Sequence, residues 1–470
     1  MTTARAFAGK HYAVLGLARS GLATVEALLA SGAKVTAWDD NPETVQNLRS
    51  SRAKSRDMGT VAGRVSTSLD TNGLEFADLD SADLTQFDSI VLSPGVPLNR
   101  SPLAQCARAA GLAIIGDIDL FARARAELPP HKMVGITGTN GKSTTTALVH
   151  HILQTAGVPS LMGGNIGLPI LAQDPLPDGG VYVLELSSYQ LDLTQSLDCD
   201  VAVLLNITPD HLDRYESFEA YADSKARLFE IQSPDRVRIF ATDEGLAGVL
   251  FRQMSNAFPN VWMGHGGFAL DRHDLFGFDN DGSLRSADHQ TIQRDWPSLQ
   301  GPHNAENAVA AVLTTLTLDV SPECVSEGLS TYQGLPHRTE RVAEKHGVQF
   351  VNDRKATNPT ATAPALAAFP AIRWILGGQA KSDNLDECAP FFSHVRSAYT
   401  IGEAGELFAR LLGPHMPVAE CGTLDAAVRA AVHDAKSGDT VLLSPACASF
   451  DQFKDFEARG EAFREYVRAL

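Results

Sequence analysis

A glycine-rich segment in the first third of the chain limits the possible folds more than any other feature. Residues 138–144 read Gly-Thr-Asn-Gly-Lys-Ser-Thr, between the apolar run 133–136 and the helix-like stretch 145–156. A helix that begins at such a turn has unpaired backbone N–H groups, which bind phosphate with little rearrangement. The ammonium of Lys142 suits the β- and γ-phosphates, and the hydroxyl of Ser143 or Thr144 suits Mg²⁺. We therefore predict a nucleotide loop formed by Gly138, Thr139, Asn140, Gly141, Lys142, Ser143 and Thr144.

This loop departs from the strict phosphate-loop spacing at one position. The strict motif has a glycine five residues before Gly141, where this chain has Ile136. The alternative interpretation is an ordinary strand-to-helix turn of an α/β protein that happens to contain glycine. Packing alone does not explain a Gly-Lys-Ser-Thr sequence at the start of a helix, so we favour a variant nucleotide loop.

The length of 470 residues predicts about three domains of roughly 150 residues each. Proline-containing segments at residues 128–130 and 334–336 resemble linkers. We therefore expect domains at residues 1–128, 129–334 and 335–470.

Charge and cysteine content narrow the class of protein. With 39 basic and 56 acidic residues, the net charge of −17 argues against broad binding to nucleic acids or anionic membranes. The six cysteines form no Cys-x-x-Cys pair, which indicates reduced thiols. Neither a long apolar stretch nor a signal peptide stands out. We expect a cytoplasmic monomer that does not insert into membranes.

The N-terminal segment has the pattern of a Rossmann-like βαβ unit. The strand-like run 11–15 is followed by the loop Gly16–Gly21, a helix and the strand-like run 34–38. Asp39 lies 23 residues after Gly16, near where an acid contacts a ribose or a sugar-linked hydroxyl. A further strand runs into Ser93, Pro94 and Gly95, a turn that suits a ligand-facing loop. Taken alone, the loop Gly16–Gly21 could hold any nucleotide or none.

The polar stretch around residues 50–68 is interpreted as a surface insertion, to which we assign no function.

The central and C-terminal segments continue the α/β pattern. Apolar runs at 181–184 and 201–205, separated by helical stretches, predict a mostly parallel sheet. Ligands bind at the carboxyl ends of such strands, where Glu185 and His211 are candidate metal ligands. The alternatives are a polar strand end for Glu185 and a helix cap for His211. Three further strand-like runs, 374–378, 398–402 and 440–445, predict another α/β domain after residue 335.

Lys225 stands inside the apolar stripe of a predicted helix. It follows Phe218 by seven residues and shares a helix face with Tyr221 and Leu228. A lysine directed to the interior is costly unless it is paired or modified. A lysine that covers an apolar edge with its stem is the alternative. Because His211 and Asp213 lie just upstream, we favour a functional role.

Other polar segments are open to two interpretations. Asn307 could contact a base edge or cap its helix. Arg338 could contact ATP phosphates or form an interdomain salt bridge. The segments 351–359, 381–383 and 449–456 could be binding loops or ordinary surface loops.

Taken together, these segments resemble the Mur ligase family, and the resemblance spans nearly the whole chain. It accounts for the variant spacing of the nucleotide loop. The matching segments, in the family's order, are Gly138–Thr144, Glu185–Leu191, Asn206–Arg214, His303–Asn307, Leu335–Arg338 and Asn352–Asn358. The resemblance implies a Rossmann-like N-terminal domain, a central ATPase-type domain with a mostly parallel sheet and a Rossmann-like C-terminal domain. The N-terminal segment, 352–358 and 444–453 most resemble the branch that joins D-glutamate to UDP-N-acetylmuramoyl-L-alanine in peptidoglycan precursor synthesis.

The resemblance also implies a mechanism. ATP phosphorylates the terminal carboxylate of the substrate, the amino group of D-glutamate attacks the acyl phosphate, and phosphate leaves. Lys142 would hold ATP phosphates, and Ser143, Thr144 and Glu185 one Mg²⁺. His211 would hold a second Mg²⁺ together with Lys225 in its carbamate form.

The remaining roles follow from the same resemblance. Contacts to ATP are implied for Asn307, Arg338 and Asp353. The UDP-linked substrate would contact Gly16, Gly21, Asp39, Ser93, Pro94, Gly95 and Asn165. The D-glutamate pocket would contain Thr357, Lys381, Ser449 and Phe456.

Three other functions compete with this interpretation. A sister ligase, or a folate-type polyglutamate ligase, would use another amino acid or acceptor, and the sequence near Thr357, Lys381 and Ser449 argues against it. A non-catalytic nucleotide-binding regulator would not need the second metal site that Lys225 implies. A nicotinamide oxidoreductase rests only on the loop Gly16–Gly21.

Overall fold

The computed structural model describes most of the chain. The described residues are 1–46, 48, 73–96, 98, 101–210, 214–263, 276–278, 284–286, 293–296, 298–335, 340–380 and 383–470. They form two compact units, one of residues 1–269 and 310–321 and the other of residues 270–309 and 322–470. The polar insertion around residues 50–68 lies outside the described residues. Within the described part, no helix is both long enough and apolar enough to cross a membrane.

The first unit begins with a five-stranded parallel sheet in the order β3-β2-β1-β4-β5. Its strands are β1 His11–Leu15, β2 Lys34–Trp38, β3 Leu74–Phe76, β4 Ser89–Leu92 and β5 Ile114–Ile115. Its helices are α1 Arg19–Ala30, α2 Pro102–Ala109 and α3 Asp117–Ala124. Since β1 lies between β2 and β4, the strand order reverses there, and a crevice opens beyond the carboxyl ends of β1 and β4. The predicted βαβ unit is confirmed.

The same unit contains a six-stranded parallel sheet in the order β11-β10-β9-β6-β8-β7. Its strands are β6 His131–Thr137, β7 Ser160–Gly164, β8 Gly180–Glu185, β9 Val201–Leu204, β10 Val237–Phe240 and β11 Val261–Met263. Its helices are α4 Lys142–Thr155, α5 Ser188–Asp192, α6 Phe218–Glu230 and α7 Gly245–Ala257. Helices cover both faces of a parallel sheet, which explains the continuous apolar runs of its strands. The strand before the glycine-rich loop thus lies between β8 and β9.

The second unit contains a six-stranded sheet in the order β14-β15-β19-β16-β17-β18. Only β14 runs antiparallel to its neighbour. Its strands are β14 Glu340–Lys345, β15 Val348–Asn352, β16 Ile372–Gly377, β17 Val395–Ile401, β18 Val418–Gly422 and β19 Thr440–Leu443, and β12 Phe276–Phe278 pairs separately with β13 Leu284–Ser286. The later helices are α8 Pro302–Thr317, α9 Pro322–Thr331, α10 Pro359–Ala368, α11 Gly405–Leu412, α12 Leu424–Asp434 and α13 Phe456–Arg468. Three mainly parallel sheets confirm the predicted α/β class, while the boundaries at residues 128 and 334 stay predictions.

Within the first unit, helix α3 joins the two sheets through one buried carboxylate. Asp119 is fully buried, and its Oδ1 accepts hydrogen bonds from the backbone N–H groups of Gln195 and Ser196, at 2.7 and 2.8 Å. Its Oδ2 accepts from Nε of Arg123 at 2.8 Å. The backbone N–H of Gly116 donates to the carbonyl of Leu193 at 2.9 Å. These bonds fix the segment after β5 against the segment after α5.

We expect Asp119→Ala to lower the stability of this unit by about 3 kcal/mol, because buried donors would lose a charged acceptor. Urea unfolding followed by circular dichroism measures this effect. Asp425→Ala is the matched control, because it removes an exposed ion pair with Arg429 that has the same four-residue helical spacing. Equal unfolding midpoints for the two variants would show that Asp119 does not brace the sheets.

Candidate active site

The glycine-rich loop connects β6 to α4. Gly141 precedes the helix with a φ of 83°, a left-handed conformation that glycine adopts without strain. The ammonium of Lys142 donates to the carbonyl oxygens of Gly138 and Thr139, at 2.8 and 2.7 Å. The backbone N–H of Asn140 donates to Oδ1 of Asn206 at 2.9 Å, so the segment after β9 supports the loop. The lysine charge and the first turn of α4 therefore lie at one anion-binding edge.

Lys225 projects from α6 to the same loop. Its side chain is 1% exposed, and its Nζ donates to the carbonyl oxygen of Gly138 at 2.9 Å. The Nζ also lies 4.5 Å from the ring centroid of Tyr221. Burial lowers the pKa of Lys225 well below its ordinary value, and the nearby charge of Lys142 lowers it further. The environment therefore favours the uncharged amine, which is the nucleophilic form.

Glu185 ends β8 and is 1% exposed. Its Oε1 accepts a hydrogen bond from Nδ2 of Asn165 at 2.9 Å, whereas its buried Oε2 has no hydrogen-bond partner among the residues that the structure describes. The hydroxyl of Ser143, also buried, has no partner within that part of the chain either. Unpaired buried oxygens are costly unless a ligand uses them, and carboxylate and hydroxyl oxygens suit Mg²⁺. The side chains at this edge therefore fit the metal that the sequence predicts.

Gly164 brings Asn165 to Glu185. Its φ is 85°, and a Cβ at this position would overlap the carbonyl oxygen of Glu185. That carbonyl accepts from the backbone N–H of Asn165 at 2.8 Å. Only glycine permits so close an approach between the ends of β7 and β8.

A cleft of about 470 Å³ lies beyond the carboxyl ends of β1 and β4. Six of the seven residues predicted to contact the UDP-linked substrate line it: Gly16, Asp39, Ser93, Pro94, Gly95 and Asn165. The seventh, Gly21, lies in the first turn of α1, where a Cβ would overlap the carbonyl oxygen of Gly16. Asp39 also supports the loop, because its Oδ2 accepts from the backbone N–H of Leu17 at 2.6 Å.

Asn165 belongs to both parts of the site. The residue lines the cleft, and its side-chain Nδ2 donates to Oε1 of Glu185. Asn165 therefore connects the cleft to Glu185, whose strand β8 pairs with β6, the strand before the nucleotide loop.

The predicted amino-acid pocket involves loops that follow adjacent strands of the second unit. Thr357 and Ser449 lie in the loops after β15 and β19, and Phe456 begins α13. The backbone N–H of Ala446 donates to the carbonyl of Ala356 at 3.0 Å, which joins these two loops, and Gln379, after β16, exchanges two bonds of 2.9 and 3.0 Å with Ala448. Ser449 is buried, whereas Thr357 and Phe456 are half-buried. The fold thus brings two of the predicted pocket loops to one edge of the sheet.

Two residues predicted to contact ATP are buried in the second unit. Oδ2 of Asp353 accepts from the hydroxyl of Ser444 at 2.8 Å, and Nδ2 of Asn307 donates to Oδ1 of Asn304 at 3.2 Å. Their roles toward ATP stay predictions. The predicted site residues His211, Arg338 and Lys381 lie outside the described residues.

Sequence reasoning missed Arg459, which is 1% exposed on α13. Its guanidinium donates to four backbone carbonyl groups, one at the end of β16 and three in the segments that follow β15 and β19. These carbonyls belong to Arg354, Gly377, Cys447 and Ala448, at 3.0 to 3.4 Å. Its spacing from Phe463 and Val467 places it in an apolar helical stripe. The argument that identified Lys225 would therefore have found it.

Tyr221 and Asn206 were also missed as supports of the nucleotide loop. The hydroxyl of Tyr221 is 3.1 Å from Oγ1 of Thr139, and Asn206 bonds to Asn140. These contacts form between residues far apart in the chain, and no spacing of residues in the sequence indicates them.

Three family profiles match the chain. The profile of the MurD-like N-terminal domain matches residues 10–116, that of the Mur ligase middle domain residues 136–315, and that of the Mur ligase glutamate ligase domain residues 337–447. Two curated relatives named UDP-N-acetylmuramoylalanine–D-glutamate ligase are similar over the full length of this chain. The protein of Novosphingobium aromaticivorans is 56% identical, with 97% of its length covered, and that of Zymomonas mobilis is 52% identical, with 100% covered.

Solved structures share the fold at low sequence identity. The UDP-N-acetylmuramate–alanine ligase of Thermotoga maritima aligns with a TM-score of 0.56 and 15% identity, covering 98% of this chain and 99% of its own. The MurF ligase of Thermotoga maritima, solved with ADP, aligns with a TM-score of 0.56 and 16% identity, covering 98% and 96%. With its domains matched by three family profiles and its full length by close relatives, the chain belongs to the Mur ligase family.

Proposed function

We propose that this chain is an ATP-dependent ligase that joins D-glutamate to UDP-N-acetylmuramoyl-L-alanine in peptidoglycan precursor synthesis. Relatives at 52–56% identity carry the corresponding name. One observation carries the proposal: Asn165 lines the cleft and holds Glu185 beside the nucleotide loop. A UDP-linked acid bound in that cleft can present its carboxylate to the γ-phosphate of ATP.

In the first step, an oxygen of the substrate carboxylate attacks the γ-phosphorus of ATP, and ADP leaves. Lys142 would release the carbonyls of Gly138 and Thr139 and take the phosphate oxygens instead, guided by the N-terminal turn of α4. Ser143, Thr144 and Glu185 would hold a Mg²⁺ ion, which neutralises phosphate charge. The catalytic contribution of these residues is positioning and charge neutralisation.

Lys225 would act as a carbamate, which forms when its uncharged Nζ attacks the carbon of CO₂ and loses a proton to solvent. Two observations support this modification: the amine is buried, and its environment favours the uncharged form. The carbamate would supply oxygen atoms to a second Mg²⁺ together with His211. The positive charge of Lys142 would then lie near the negatively charged carbamate of Lys225 and no longer near its amine.

In the second step, the amino group of D-glutamate attacks the acyl carbon. A tetrahedral intermediate collapses, phosphate leaves and the nitrogen loses a proton. Thr357, Lys381, Ser449 and Phe456 would orient the amino acid, and Asn307, Arg338 and Asp353 would contact ATP. The backbone bonds between the loops after β15 and β19 support a shared pocket.

We further propose that the enzyme acts as a monomer in the cytoplasm, where ATP and UDP-linked precursors are available. Its three domains would be residues 1–128 for the UDP-linked substrate, 129–334 for ATP and 335–470 for the amino acid.

The substrate assignment is tested by phosphate release from ATP in the presence of Mg²⁺ and UDP-N-acetylmuramoyl-L-alanine. We expect release with D-glutamate and only background release with L-glutamate, L-alanine or no amino acid. Release that depends on another amino acid would replace the assigned substrate with that of a sister ligase. Folded protein that binds ATP but releases no phosphate with any amino acid would be a regulator instead.

The carbamate is tested by Lys225→Ala, which we expect to lower kcat by about 100-fold or more, because a charge-positioning group is lost. Acetate or propionate should restore part of the activity, since a small carboxylate fits the space left and supplies the missing oxygens. Lys225→Met is the control, because its side chain fills that space. Equal rescue of both variants, or rescue of neither, would contradict a carbamate role.

The close approach at Gly164 is tested by Gly164→Ala, with Gly167→Ala as the matched control. Both glycines have a positive φ, so each variant bears a backbone strain of about 1 kcal/mol. Among the described residues other than its chain neighbours, the nearest atom to a Cβ at Gly167 would be the carbonyl oxygen of Met162 at 3.9 Å, whereas a Cβ at Gly164 would displace Glu185. We expect only Gly164→Ala to need a higher Mg²⁺ concentration for half-maximal activity. An equal Mg²⁺ requirement in both variants would mean that this approach does not position the carboxylate.

A further inference from the structure

Arg214 binds the turn that follows β4. Its guanidinium donates to the carbonyl oxygens of Pro94, Gly95 and Val96, at 3.0, 3.3 and 2.6 Å. These are three consecutive residues of a turn that lines the cleft. Arg214 itself follows β9 of the central sheet, so the contact joins one sheet of the first unit to the other.

The same guanidinium is fixed on its other side by Tyr189. Its central carbon lies 3.8 Å from the centroid of the Tyr189 ring, within the range of a cation–π contact. Tyr189 belongs to α5, which begins three residues after Glu185. Ser187 and Gln190 close a capping box at the start of this helix, which fixes its position.

The turn is also fixed from the first sheet. The hydroxyl of Ser93 donates to the carbonyl of Gly16 at 2.6 Å, and the backbone N–H of Ser93 donates to the carbonyl of Leu15 at 3.0 Å. Ser93 therefore holds one end of the turn to the loop after β1, while Arg214 joins the turn to Tyr189 of helix α5. The cleft wall depends on both attachments.

We propose that Arg214 is a positioning residue that sets the turn formed by Pro94, Gly95 and Val96 for binding of the UDP-linked substrate. The inference rests on the proposed function, since it assigns that substrate to the cleft. A planar guanidinium can serve three carbonyls and stack on a ring at once. A lysine ammonium lacks this forked geometry and the flat face.

This role predicts a selective effect. A misplaced turn weakens the binding of the UDP-linked substrate in ground state and transition state alike. The KM for this substrate should therefore rise about 10-fold in Arg214→Gln, while kcat and the KM for ATP stay within about 3-fold. Arg214→Lys should fall between wild type and Arg214→Gln.

Titration calorimetry with UDP-N-acetylmuramoyl-L-alanine, without ATP, measures this binding independently of turnover. Arg227→Gln is the matched control, because Arg227 also donates to two backbone carbonyls, those of Leu191 and Thr194 at 3.0 and 2.9 Å, but these residues are not among those that line the cleft. We expect an approximately 10-fold rise in Kd for Arg214→Gln and none for Arg227→Gln. Unchanged binding in Arg214→Gln, or equal losses in both variants, would overturn the inference.

A second pair of variants tests the stacked ring. Tyr189→Phe keeps the ring face and should bind the UDP-linked substrate better than Tyr189→Leu. The double variant Arg214→Gln with Tyr189→Leu should bind no more weakly than Arg214→Gln alone, because both changes release the same attachment. Additive losses would overturn the shared role. A wild-type chain that binds the UDP compound but ligates another amino acid would refute the proposed function and leave this inference standing.

Discussion

The carbonyl oxygen of Gly138 is the point on which the site depends. It accepts hydrogen bonds from Lys142 at 2.8 Å and from Lys225 at 2.9 Å, so two amines from different helices meet at one backbone atom. Two ammonium groups so close together repel each other, and burial adds to the cost of charge on Lys225. Burial and the neighbouring Lys142 both lower the pKa of Lys225 and so favour its uncharged amine.

The site also requires that the distance and orientation between the cleft and the nucleotide loop stay constant. Asp119 joins helix α3 to the segment after α5, and Asn165 connects the cleft to Glu185. Arg214 adds a third connection, from the central sheet to the turn after β4. Each connection is a hydrogen bond from or to a charged or amide group. Because hydrogen bonds are directional, these connections fix the relative positions of the segments that they join.

Lys225 and Arg459 are two buried basic side chains in different electrostatic states. Both lie in apolar helical stripes, and both donate to backbone carbonyls. Burial lowers the pKa of Arg459 to about 10, so its guanidinium remains charged at neutral pH and can serve four carbonyls. Burial also lowers the pKa of Lys225, well below its ordinary value, which favours the uncharged amine. A buried arginine therefore stays charged and binds backbone carbonyls, whereas a buried lysine is shifted toward its neutral form.

The sequence by itself determined the α/β class, most of the strands that precede predicted ligand loops, the glycine-rich turn at the start of a helix and the inward direction of Lys225. These properties follow from local periodicity and from glycine and lysine placed at a helix start. Only the tertiary structure decided that Asn165 serves both the cleft and Glu185, that Gly21 supports its loop beside the cleft, and that Arg214 and Arg459 reach their carbonyls. Such contacts join residues far apart in the chain, and their partners are backbone groups, which every residue carries and no pattern of side chains reveals.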